Sequence, residues 1–356
     1  MRFALTEEQD ALKRQARRFL EQRSSSADVR RVMVTDAGFA AEAWAEMVQL
    51  GWTALLVPER HGGVGLGPVE LAAVMEEAGA SLACAPLLST VGLATNVLLR
   101  ADESHQAALL PEIAAGRLRA AVALAGEVDA RPDADEVVLH GHKSFVVDGH
   151  SADLLLVVAG DGVYVVRANA EGLSRRARAT LDPTRKLAEL TFDSVRVPAS
   201  ARLCHGAAVD GALDRAKVAL AAEQLGGAER CLALSVEYAK TRVQFGRPIG
   251  SFQAIKHHCA DLLVLVESAR SAVWWAAFLA ATDDPELPLA ASLARSYASE
   301  AYLQAAGQTI QIHGGMGFTW DHDAHLHLRR ARGSATLLGD PSAERERLAH
   351  KLGLSS

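Results

Sequence analysis

Residues 238–262 read YAKTRVQFGRPIGSFQAIKHHCADL, and the fold turns on how this stretch is punctuated. Upstream of it Val218, Ala221, Leu225, Ala228, Leu232, Val236 and Ala239 recur three or four apart, the apolar stripe of one long helix. The turn GRPIGS, 246–251, breaks the helical period, which resumes over 252–281 and again over 288–312. Three long helices with short connections predict a bundle, and the segment after Leu326 can add a fourth helix.

Outward from this bundle the period changes twice. Between Arg119 and Leu203 the segments AAVALAGE, EVVLHGHKSFVVDG, ADLLLVVAG, GVYVVRA and LAELTFDSVRVP are short, rich in Val and Leu, and separated by Gly, Asp and Asn, which predicts strands and turns. Before Arg119 the pattern is helical. Thr6 and Gln9 form a capping box that opens a helix to about Arg23. AAEAWAEMVQLGW, 40–52, keeps helical spacing up to Gly51; VPERHGGVGLGP, 57–68, is a loop; and helices are expected over 69–80, 91–100 and 104–115. The expected class is α+β: an N-terminal all-α domain (1–118), a small central β domain (119–203) and a C-terminal four-helix bundle (204–356).

Composition narrows the function. The 356 residues are 49% apolar and 22% charged, with a net charge of −6 and a pI near 6.1, so no basic face for nucleic acid is expected. Cys84, Cys204, Cys231 and Cys259 show no regular spacing and read as buried free thiols of a reducing compartment. The N-terminus lacks an apolar signal core, and no run of about 18 uncharged apolar residues occurs. A cytoplasmic protein without a membrane span is expected.

The α, β, α order, with the 238–262 stretch and QIHGGMGFTWDHDAHLHLRRAR (311–332), resembles the acyl-CoA dehydrogenase family. VPERHGGVGLGPVELAAVMEEAG (57–79) is similar to its N-terminal loop and helix, and GHKSFVVDGHSADLLLVV (141–158) to its central hairpin. The resemblance implies FAD, a tetramer built on the bundle, an acyl-CoA substrate oxidised to its 2-enoyl form, and an electron-transfer flavoprotein or similar acceptor. It also implies that Arg242, Phe245 and Gln253 contact the ADP half of FAD across a subunit interface, and that Gln311, Gly314 and Gly315 meet the same half. The chemistry agrees: Arg242, at a helix end, can fork onto a diphosphate, Phe245 offers a face to adenine, and glycines let backbone amides approach phosphate.

The sequence departs from the family at the reacting centre. Most members carry a catalytic Glu before a Gly in the C-terminal segment; alignment of LRRARGSATLLGD (328–340) puts Leu338 there. A minority carry it on the first bundle helix, where LDRAKVALAAE (213–223) puts Ala216. The Trp and Thr beside the flavin ring correspond to Phe145 and Val147, and the usual Thr-Glu-Pro…Gly-Ser-Asp loop reads LAGEVDARPDADE (124–136). No catalytic residue is therefore expected in this chain. The asymmetry resembles one subunit of the bacterial hetero-oligomeric acyl-CoA dehydrogenases, some of which act on steroid side-chain thioesters and in which a homologous partner holds the base. The rival readings are a non-catalytic scaffold of the same fold, and a self-sufficient enzyme using Glu223 or Asp340. His313, His322, His325 and His327 lack metal-ligand spacing, so no metal site is expected.

Overall fold

The computed structural model describes residues 5–206 and 208–354. The first helices are α1 (Glu7–Arg23), α2 (Ser26–Met33), α3 (Ala41–Gln49) and α4 (Pro68–Ala80), then a π-helical segment Leu87–Ala94 that runs into α5 (Thr95–Leu98), and α6 (Glu103–Ala114). Eight strands follow: β1 (Ala120–Ala123), β2 (Val128–Asp133), β3 (Glu136–Val147), β4 (Leu154–Ala159), β5 (Gly162–Arg167), β6 (Leu173–Arg178), β7 (Leu187–Pro198) and β8 (Arg202–His205). The rest is α7 (Ala208–Thr241), the minimal hairpin β9 (Val243–Gln244) and β10 (Arg247–Pro248), α8 (Gln253–Ala281), α9 (Leu287–His313), α10 (Ala324–Ala335) and α11 (Pro341–Lys351). The α+β class and its order are those expected from the sequence.

The chain divides into two compact units that do not follow chain order. One takes Arg31–Gly67 and Cys84–Ala216; the other takes the chain up to Arg30, Pro68–Ala83 and everything from Lys217 on. In the first, the sheets β1-β4-β5-β8 and β2-β3-β7-β6 enclose a core that includes Leu139, Leu155, Leu190 and Phe192. Among the described residues only β1 and β4 pair in parallel. The sequence did not announce β2, β6 or β8. VDARPD and LSRRAR are edge strands of their sheet, largely exposed, and their charges and Pro suit an edge that must not pair further.

In the helical unit the capping box forms as expected: Gln9 N donates to Thr6 Oγ1 (3.2 Å) and Thr6 N to Gln9 Oε1 (2.9 Å). Helix α2 was not expected; Ser25 and Asp28 cap it. Helix α7 starts at Ala208, earlier than the stripe from Asp214 suggests. Helix α8 is long and apolar enough by length and composition to cross a bilayer, although its charged residues interrupt any uncharged run; half of its apolar window is buried, and it packs against α4 and α9 as a core helix does. Buried Glu76 of α4 meets Lys13 of α1 (2.8 Å) and Arg270 of α8 (2.6 Å). Of the four free cysteines only Cys231 is fully buried, which corrects the expectation for Cys84, Cys204 and Cys259.

Helices α4 and α7 cross at backbone contact because each offers a glycine to the other. A Cβ on Gly79 would lie 1.8 Å from the Glu223 carbonyl oxygen, and one on Gly226 would lie 1.7 Å from that of Glu76. Backbone cannot yield as a flexible side chain can. Gly226→Ala should therefore destabilise the unit by about 2 kcal/mol or more through overpacking, read as a lower urea midpoint; an unchanged midpoint would refute the crossing.

Candidate functional site

At the C-terminal end of α7 the Arg242 amide still donates to the Tyr238 carbonyl (2.8 Å), while the Arg242 carbonyl accepts from the Ile249 amide (2.8 Å) and closes the hairpin. Gln244 pairs with Arg247, so Phe245 and Gly246 alone make the turn. Both have positive φ, +52° and +75°, as a two-residue type I′ turn requires. Glycine accepts this conformation; phenylalanine resists it. Phe245 nonetheless stands there 91% exposed, touched edge-on by Phe252 at 6.0 Å between ring centres. Strain and exposure of one aromatic residue both oppose folding, and such strain collects at functional positions.

The remaining residues of this end point the same way. Arg242 is exposed, and its guanidinium has no partner among the described residues. Gln253, also exposed, opens α8, whose N-cap Phe252 offers no side-chain acceptor, so the first amides of the helix keep their partial positive charge. Helix α9 ends at His313, and Gly314 continues with φ +61° and ψ −141°, open to glycine alone. A Cβ on Gly315 would meet nothing within 4 Å, so packing within the chain does not require that glycine. Gln311, Gly314 and Gly315 are all exposed.

Two contacts bring the hairpin and the glycine turn to one end of the unit. Tyr238, one turn before Arg242, stacks on His313 at 4.2 Å, and Ser235 Oγ lies 3.0 Å from Thr309 Oγ1, one turn earlier on both helices. Past the glycines His313 meets His322 at 4.4 Å, and Asp323 accepts hydrogen bonds from Ser26 (2.6 Å) and Arg30 (2.7 Å). The histidines are engaged individually: His313 Nδ1 with the Thr309 carbonyl, His327 Nδ1 with the Tyr302 hydroxyl, His325 edge-on with Trp320. No three potential metal ligands converge among the described residues.

The positions where a base was sought are accounted for one by one. Leu338 sits between α10 and α11 at φ +56°, half-buried, and Ala216 is fully buried in α7. Glu223 is buried against Arg330, which also reaches the Ala83 carbonyl. Asp340 caps α11, accepting from Ser342 N (2.8 Å) and Ala343 N (3.0 Å). Glu223 is thus held in a buried ion pair, and Asp340 Oδ1 in a helix cap. The Leu338 loop is held by Arg295, wholly buried, which donates to the carbonyls of Ser334 (2.6 Å), Ala335 (3.1 Å), Leu337 (2.7 Å) and Gly339 (3.3 Å). Arg295 was missed from sequence; its signal is a lone charge inside AASLARSYAS, 290–299.

In the sheet-bearing unit Phe145 lies at a bulge of β3, at φ +57° and 56% exposed, with the Arg178 guanidinium 5.6 Å from its ring. Val147 ends the same strand, half-buried. Lys143 was also missed: buried, it donates to the carbonyls of Leu124 (3.0 Å) and Gly126 (2.7 Å), closing the loop before β2, and burial lowers its pKa.

Burial, then the charge of Arg230, pushes His327 down to about 3. In the unfolded chain the same ring charges near pH 6.5. Between these values the unfolded state binds the extra proton, so stability is full above about pH 6.5 and falls as the pH drops towards 3. The urea midpoint should decrease from about pH 7.5 to about pH 5, and His327→Gln should flatten that decrease; an equally steep decrease in the variant would exclude His327 as its source.

Two family models match the chain, the acyl-CoA dehydrogenase N-terminal domain over residues 6–117 and the C-terminal domain over 206–353. The acyl-CoA dehydrogenase IpdE2 of Mycobacterium tuberculosis is 40% identical over 343 residues, 96% of each chain. Among solved structures, the ChsE4–ChsE5 complex from Mycobacterium tuberculosis matches with a TM-score of 0.94 and 28% identity over 100% of both chains. The Tcur3481–Tcur3483 steroid ACAD matches at 0.89 and 32% over 98% of both. The chain belongs to the acyl-CoA dehydrogenase family, whose members are FAD-dependent oxidoreductases.

Proposed function

We propose that this chain is one subunit of an FAD-dependent acyl-CoA dehydrogenase, that it clamps the ADP half of FAD, and that a homologous partner chain supplies the catalytic base. The observation that carries this reading is the pairing of a solvent-facing clamp with apolar residues at both base positions, Leu338 and Ala216. The residues fit the cofactor. Arg242 offers an unpaired guanidinium to a diphosphate, and the uncapped start of α8 adds amide donors beside Gln253. Phe245 presents its ring to adenine, and Gly314 and Gly315 leave room for phosphate at the backbone near Gln311. FAD, when bound, supplies the hydride acceptor for α,β-desaturation of the acyl-CoA.

The chain's own contribution is binding and orientation. An α-proton of a thioester needs a desolvated carboxylate within about 3 Å, and Glu223 and Asp340 are held elsewhere by Arg330 and by the α11 amides. The hetero-oligomeric composition of the structural neighbours supports a partner chain, and the steroid-acting neighbour supports a steroid side-chain thioester as substrate. An electron-transfer flavoprotein or similar carrier would reoxidise the cofactor, and the cytoplasm is the expected compartment.

The test is Arg242→Ala in the assembled complex. Loss of a desolvated charge-assisted contact to phosphate, about 2–3 kcal/mol, should strip most of the FAD, read from the flavin absorbance after desalting. Full flavin and full turnover in this variant would overturn the clamp and favour a scaffold that binds no cofactor here. Asp340→Asn, which keeps the helix cap, should leave acyl-CoA oxidation within about tenfold, or 1.4 kcal/mol, of the parent. Leu338→Glu in the lone chain should create no dehydrogenase activity with an artificial electron acceptor. Silencing by Asp340→Asn, or turnover by Leu338→Glu alone, would return the chemistry to this chain.

A further inference from the structure

Away from the cofactor-clamp residues, a cavity of about 440 Å³ opens in the helical unit among α1, α4, α7 and the start of α10, within the range of roughly 300–1,000 Å³ typical of small-molecule sites. Its apolar wall includes Leu20, Val29, Leu82, Leu234 and Leu326. The acceptors in its polar wall are already answered. Glu77 takes both nitrogens of Arg17 at 2.9 Å, Glu229 faces Arg270 at 3.3 Å, and Asp323 is held by Ser26 and Arg30. Glu21 remains, exposed at the rim where water and salt screen it.

Three donors of the wall, by contrast, remain open. Arg230 lines the cavity and has no carboxylate partner among the described residues. Ser26 lines it where α2 begins, and its backbone amide, first of the helix, has no acceptor among the described residues. His327 is only 3% exposed and also lines it, and its Nδ1 lies 2.9 Å from the Tyr302 hydroxyl. In the tautomer in which the Tyr302 hydroxyl donates to Nδ1, Nε2–H is the donor left for the cavity. The ring stays neutral there, since burial and Arg230 hold it near 3.

We infer that this cavity is a second ligand site, distinct from the cofactor clamp, and that it takes a small amphipathic carboxylate whose anion answers Arg230, the Ser26 amide and His327 while its apolar tail lies on the leucine wall. A cation would meet carboxylates that already have partners, apart from the screened Glu21 at the rim, and a purely apolar molecule would strand the donors.

Hexanoate, hexan-1-ol and hexylammonium are suitable probes, read by saturation-transfer NMR on the intact chain. Hexanoate should bind saturably and hexylammonium should fail to displace it. Arg230→Gln, an exposed position that should not disturb folding, should weaken hexanoate about tenfold or more while leaving hexan-1-ol unchanged. Ala233→Phe, which fills the cavity, should remove both, and Arg242→Ala should change neither. Absence of saturable hexanoate binding, equal binding of hexylammonium, or an unaltered hexanoate affinity in Arg230→Gln would each overturn the assignment. Loss of hexanoate binding in Arg242→Ala would place it at the cofactor clamp and overturn it as well.

Discussion

The stack of Tyr238 on His313, with the hydroxyls of Ser235 and Thr309 in contact one turn earlier, fixes the register of α7 against α9. Everything assigned to the clamp depends on that register. Arg242 and the Phe245 turn leave one helix, Gly314 and Gly315 leave the other, and the two exits share an end of the unit only while these rings and hydroxyls meet. Thr309 Oγ1 also lies within hydrogen-bond reach of the Cys231 carbonyl (2.9 Å), and burial raises the Cys231 thiol to about 12, so that thiol stays protonated at the joint. Phe245 can then carry a strained backbone at an exposed tip because the strands and helices on either side over-determine the turn.

A second constraint operates at the other end of the chemistry. Arg295 is buried and spends its guanidinium on the carbonyls that finish α10 and lead to Gly339, so the loop bearing Leu338 keeps a set path although its side chain offers no base. Removal of such a group would leave several carbonyls unsatisfied, a cost of about 1–3 kcal/mol for each truly buried one. Under the proposed reading, the loop is held firmly while the residue at its tip, Leu338, carries no acid-base group. That combination fits a subunit that still has to fold and assemble like its relatives but no longer has to take a proton.

The sequence made the main architecture legible because the bundle helices are long and strongly periodic, and because the change to short Val-rich segments near Arg119 is abrupt. It was silent on β2 and β6, whose exposed polar edges carry no alternation of burial strong enough to read, and on α2, which is short and depends on a local Ser25–Asp28 cap. The interleaving of Pro68–Ala83 with the C-terminal helices was also hidden, since it rests on the Gly79 and Gly226 crossing, a long-range contact between ordinary helix residues. Within the site, Arg242, Phe245 and the glycines stood out through their motifs. Arg295 and Lys143 did not, because their partners are backbone carbonyls, which leave no signature in side-chain spacing.

The most direct measurement is a flavin titration of the purified chain alone, followed by steady-state oxidation of acyl-CoA thioesters with and without a homologous partner chain. A chain that holds only the ADP-half clamp and no base should retain little FAD after desalting and should turn over nothing by itself, with flavin and activity appearing together when the partner is added. Tight stoichiometric FAD and turnover on the lone chain would contradict the account.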